Sequence, residues 1–190
     1  LDLEPDNRDI IHALGDLYAK QDRISEAVET YRKLAGLYAD NKPLDKVINI
    51  YETVVSWDPN ARWAIDKLIE IYESVLERNP TNINIRKRLV DHLLLVGRKE
   101  DVAPHYLQLA NGNIERGMLD EAVKSLRRLL ELDRGNIPAR ELLGEIYRKK
   151  DMQYEAMETF QQIVKLHKAS GNEQAALEAQ QRMVKFFPQA

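Results

Sequence analysis

The stretch Leu143-Gly144-Glu145-Ile146-Tyr147, with Ala156 and Phe160 behind it, repeats an earlier one: Leu14-Gly15-Asp16-Leu17-Tyr18, with Ala27 and Tyr31 behind it. Extended outward, residues 6–59 and 135–188 align without a gap and also share Asp22/Asp151, Glu29/Glu158 and Pro59/Pro188. A further unit, residues 81–134, keeps the apolar pattern, with Leu89, Leu93, Val102 and Tyr106 at the matching places. Between the first two units, residues 60–80 are a copy as well. Asp66-Lys67-Leu68-Ile69-Glu70-Ile71-Tyr72-Glu73 follows Asp45-Lys46-Val47-Ile48-Asn49-Ile50-Tyr51-Glu52, and Asn79-Pro80 echoes Asp58-Pro59. Self-similarity of this kind marks an array of stacked structural repeats.

Each unit reads as three helices. Ile11, Leu14, Leu17 and Tyr18 recur at three- and four-residue steps, which places them on one helical face. Residues 22–25 supply turn and capping side chains. Ala27, Tyr31, Leu34 and Tyr38 then continue a second stripe until Asn41-Lys42-Pro43 breaks it, since proline cannot prolong the helix before it. A third stripe runs through Val47, Ile50, Tyr51 and Val54 to Asp58-Pro59. No segment sustains a two-residue alternation with β-rich composition, so no strand is expected. Three units of three, plus the duplicated helix, make ten helices. Pro104 falls early in its helix, where a missing N–H costs little. Gly112 and Gly117 make the middle helix of residues 81–134 the least favourable of the ten.

Composition narrows the function classes. Apolar residues make 44% of the 190 and charged residues 31%, enough for a core and too apolar for a disordered tail. With 8 glycines and 7 prolines the chain is poor in turn formers, against an all-β fold. No cysteine means no disulfide framework, thiolate nucleophile or thiolate metal site. Lys+Arg 28 against Asp+Glu 31 gives −3, which argues against a dedicated nucleic-acid or membrane-surface binder. The longest apolar run, Leu93 to Val96, is far short of the roughly 20 residues a bilayer requires. The opening Leu1-Asp2-Leu3-Glu4-Pro5 reads as the last turn of a helix, with no signal segment, so a cytoplasmic fragment of a longer protein is expected.

The pattern Leu143-Gly144-x-x-Tyr147, Ala156, Phe160 resembles the tetratricopeptide repeat (TPR), as does Leu14-Gly15-x-x-Tyr18, Ala27, Tyr31. A second register, Leu34-Ala35-x-x-Tyr38 with Val47, Tyr51 and Pro59, is similar to it too. Small residues permit close approach of two antiparallel helices, and aromatics fill the space between successive pairs. The resemblance implies an all-α fold: a right-handed α-solenoid of about ten antiparallel helices, with residues 1–190 as a single repeat domain. Its spacing departs from the family's 34-residue period. The alanine-like position recurs at Ala27, Val47, Leu68, Val102, Ala122, Ala156 and Ala176, in steps of 20, 21, 34, 20, 34 and 20. At a step of 20, one helix both finishes a repeat and starts the next. Such pacing is similar to helical-repeat arms of large bacterial regulators.

No catalytic constellation stands above background, and neither an enzyme nor a cofactor is expected. His12, His92, His105 and His167 are scattered along the chain. Asp9, His12 and Asp16 share one helical face, but a solvated face explains them better than a metal, which needs three or four ligands. Gly112 to Gly117 lacks the Lys-Ser/Thr ending and preceding strand of a phosphate loop. The basic runs Arg86-Lys87-Arg88 and Arg148-Lys149-Lys150 are interrupted by acids such as Asp91 and Glu145, and read as wet surface.

What remains is partner binding. In TPR proteins the first helix of each repeat lines a concave groove. Mapped by motif, one groove position holds His12, Lys87 and Glu141, and the next turn holds Asp16, Asp91 and Glu145. The Lys-x-x-x-Asn pattern of a carboxylate-binding clamp is missing, because Lys87 is followed by Asp91. Three acids at one equivalent position point to a basic peptide or helix as partner, although acids are also common on any exposed helix surface. Trp63 begins the duplicated helix and either packs beside Trp57 or offers an aromatic anchor. The function expected is a protein–protein interaction scaffold. The alternative is a non-catalytic arm of a larger regulator or enzyme, relaying ligand binding to another domain.

Overall fold

A computed structural model describes residues 7–38 and 44–187. The breaker at 41–43, the opening at residues 1–5 and the closing Pro188 lie outside the described residues. Ten α-helices follow one another, and no strand occurs among the described residues. They are α1 Arg8–Lys20, α2 Ile24–Tyr38, α3 Leu44–Trp57, α4 Arg62–Arg78, α5 Ile83–Leu95, α6 Val102–Glu115, α7 Leu119–Leu132, α8 Ile137–Lys149, α9 Gln153–Ala169 and α10 Glu173–Phe186. A single 3-10 turn at Lys99–Asp101 leads into α6. The contacts divide the chain into two compact units, residues 1–96 and 97–190. Inside each unit, every extensive contact between helices joins sequence neighbours, as in a solenoid.

Helix starts and turns recur with the sequence units. Asn7, Asn82 and Asn136 occupy one repeat position, and each side chain accepts hydrogen bonds from N–H groups of the first turn of α1, α5 and α8. Such caps satisfy donors that a helix cannot satisfy itself. The turn after the first helix of each unit requires a left-handed residue, and Asp22 (φ 59°), Gly97 (φ 78°) and Asp151 (φ 58°) fill it in turn. Aspartate tolerates that conformation better than most side chains, though less readily than glycine. Gly117 and Gly171 do the same before α7 and α10. Gly112 is carried inside α6, and Pro104 sits in its first turn.

Burial follows the alanine-like series. Ala27, Leu68, Val102, Ala122, Ala156 and Ala176 are buried and Val47 half-buried. A Cβ placed on Gly15 would lie 2.4 Å from the ring of Tyr31, and one on Gly144 would lie 3.1 Å from Phe160. Both helix pairs, α1–α2 and α8–α9, therefore close through a glycine laid on an aromatic ring. In the first unit Tyr31 packs in a cluster with Leu34, Ile50, Val54 and Ala64. In the second, Leu126, Leu129, Leu143 and Ile146 form one cluster, and Phe160, Ile163 and Ala179 another. No helix among the described residues is long and apolar enough to cross a membrane.

Candidate functional site

α1 and α3 are separate helices flanking α2, and a cleft of about 590 Å³ opens along them. Asp9, His12 and Asp16 line it from α1, and Asp45, Lys46 and Asn49 from α3, with Arg8 and Tyr38 also on its walls. The three- and four-residue steps that put the acids on one face of α1 follow from helical geometry. The buried Tyr31 of α2 is wedged beside them. Its Oη donates to Asp16 Oδ1 at 2.7 Å and lies 3.2 Å from His12 Nε2, while His12 Nδ1 is 3.2 Å from Asp16 Oδ2. The Tyr31 ring stands 4.8 Å edge-on from Trp57. Arg8 is committed elsewhere, donating to the Leu37 carbonyl at 2.5 Å with its guanidinium over Tyr38.

The other residues singled out in the sequence sit in different surroundings. Glu141 and Glu145 on α8 are both bridged by Arg182 of α10, at 3.0 Å and 3.3 Å, and Glu145 also pairs with Arg148 at 3.1 Å. Reading them as part of an acid-lined surface therefore needs amending for this unit, because cations of the same chain already lie on the carboxylates. Lys87 and Asp91 are exposed on α5. Trp63 lies edge-on to Tyr51 at 5.8 Å and under the Arg32 guanidinium at 4.3 Å, whereas Trp57 turns to Tyr31. The basic run at 86–88 is not a wet surface throughout: Arg86 is buried and donates to the Pro80 carbonyl. Among the described residues, no group of three or more His, Asp or Glu is arranged to hold a metal.

A second polar tie joins α3, α4 and α5. Glu52 Oε1 accepts from Tyr72 Oη at 2.6 Å and from Arg88 at 2.7 Å. Burial first, then the neighbouring carboxylate, pushes both Tyr72 and Tyr31 well above the ordinary phenol value of 10.0. The folded chain thus keeps two protons that the unfolded chain gives up near that value. Their contribution is full below pH 10 and falls as pH rises further. Urea midpoints measured at stepped pH are expected to hold to about pH 10 and then decline. Tyr72→Phe should flatten part of that decline; an unchanged slope would show that Tyr72 does not cause it.

The tetratricopeptide repeat family profile matches residues 9–41 and 139–170, which span the α1–α2 and α8–α9 pairs. Both segments are tetratricopeptide repeats. The matched segments contain the two glycine–aromatic closures, so the repeat signature and these close helix contacts coincide. Among solved structures, the chain is similar to MamA at 17% identity, over 83% of this chain and 96% of that one, with a TM-score of 0.44. It is also similar to a thermophilic TPR protein of Thermus thermophilus, at 17% identity over 95% and 98% with a TM-score of 0.40. YrrB, described as a TPR protein with an unusual peptide-binding site, aligns at 17% identity over 87% and 93%, with a TM-score of 0.35. No curated protein sequence matches significantly. TPR arrays serve as protein-interaction scaffolds, and this chain is built as one.

Proposed function

We propose that the chain binds a basic peptide or helix of a partner protein, and that the α1–α3 cleft is where it does so. The observation that carries this reading is the open polar cleft, lined by Asp9, Asp16 and Asp45 on two helices that do not pack on each other extensively. An excess of negative charge in a concave surface favours a positive partner and speeds its encounter. Arg8 and Lys46 partly offset the acids, and Lys46 on α3 would help set the orientation of the bound segment. Asp91 and Lys87 extend the exposed charged surface on α5, and Trp63 presents a half-buried ring to a neighbouring segment.

The test is confined to α1 and α3, because reversal at Glu145 would set a cation against Arg182 and Arg148. Asp16→Lys combined with Asp45→Lys is expected to weaken binding of a labelled lysine- and arginine-rich peptide by about tenfold or more, read by fluorescence anisotropy at low salt. Helical circular dichroism should be retained. Equal affinity of the double variant and the unaltered chain would remove the cleft as the binding site.

A further inference from the structure

Among the side chains that cross between helices, Arg182 of the third copy of the sequence repeat has no counterpart in the first. In the third copy, Arg182 on α10 reaches Glu141 and Glu145 on α8, and its guanidinium carbon stands 5.7 Å from the centroid of the Phe160 ring on α9. The first copy carries His12, Asp16 and Tyr31 at those three places. At the place of Arg182 it carries Thr53, whose hydroxyl turns back to donate to the Asn49 carbonyl of its own helix at 2.8 Å. α3 therefore sends no guanidinium toward α1 from that position, and the cleft opens along these same two helices. Lys46 does not substitute for it. It lies seven residues before Thr53, roughly 10 Å along the helix.

Asp16 is suited to take what Glu145 takes. One of its oxygens accepts from Tyr31 and the other faces His12, yet its side chain remains 41% exposed. A carboxylate has about four lone-pair sites, so it can accept a further donor. Resting on the reading of this cleft as a site for a basic segment, we infer that the anchor is an arginine supplied by the partner, seated against Asp16 where Arg182 sits in the third copy. A guanidinium brings a planar fork that matches the carboxylate, whereas a lysine brings one compact charge.

The isotope-labelled full chain is titrated with a short arginine-containing peptide and with its lysine and citrulline counterparts, following backbone amides by NMR. The arginine peptide is expected to bind about tenfold more tightly than either counterpart, moving the amides of Ala13, Asp16 and Asn49. Asp16→Asn, which keeps an acceptor for Tyr31, should abolish that preference. Arg182→Ala should vacate the equivalent place and add a second set of arginine-dependent shifts at Glu141 and Glu145. Equal affinity for arginine and lysine peptides, or no second set of shifts, overturns the arginine anchor and leaves the basic-segment reading standing. No binding by either cationic peptide overturns both.

Discussion

Tyr31→Ala is expected to lower the stability of the first unit by roughly 3–5 kcal/mol, the range for emptying a buried aromatic site. Tyr31 is 1% exposed and fills the space between Gly15, Trp57 and Ile50 with its neighbours. Removing it leaves a cavity that helix backbones cannot close, because the ring itself sets the distance between α1 and α2. Tyr31→Phe keeps the ring and loses only the bond to Asp16, for which about 1 kcal/mol is appropriate. The two compact units need not unfold together. The measurement should therefore follow Trp57, whose ring stands 4.8 Å from Tyr31, by fluorescence during urea unfolding. Equal midpoint shifts for the alanine and phenylalanine variants would show that the ring is not what holds this helix pair.

Gly15→Ala and Gly144→Ala look like the same change at the same repeat position, and they are expected to part company. Alanine in a helix interior is favoured over glycine by about 1 kcal/mol. At Gly15 the added Cβ would meet Tyr31 at 2.4 Å, and that ring is pinned by Asp16 on one edge and Trp57 on another. Relief requires α1 and α2 to move apart, so a net loss of roughly 1–3 kcal/mol follows. At Gly144 the nearest atom is Phe160 at 3.1 Å, and Phe160 has no hydroxyl tie to hold it. A shift of a few tenths of an ångström suffices there, and the propensity gain should leave stability within about 1 kcal/mol of its starting value. Thermal denaturation by circular dichroism compares them directly. Equal losses at both positions would contradict the difference in ring clearance.

Much of the architecture could be read from the chain because it depends on local spacing. The ten helices, the duplicated helix at residues 60–80 and the buried alanine-like series all follow from three- and four-residue apolar steps repeated in copies. The asparagine caps at 7, 82 and 136 were equally available, since they share one repeat position, but a search for apolar identities passes over them. His12 and Asp16 meet for the same local reason, being four residues apart on one helix.

The state of the candidate site was not available from such spacing. Glu145 and Asp16 align in sequence, yet one lies under Arg182 and Arg148 and the other faces an open cleft. Arg148 is a local partner three residues on, where the first copy has Ala19, but Arg182 is about forty positions away along the chain and no helical periodicity links it to Glu145. Likewise, Arg86 belongs to a basic run by sequence and to the interior by packing. Sequence alone determined which residues form helices and which faces they bury, because those are properties of each segment and its nearest copies. Tertiary structure alone decided which carboxylates are satisfied from another helix, because those pairs depend on distances between helices and not along them.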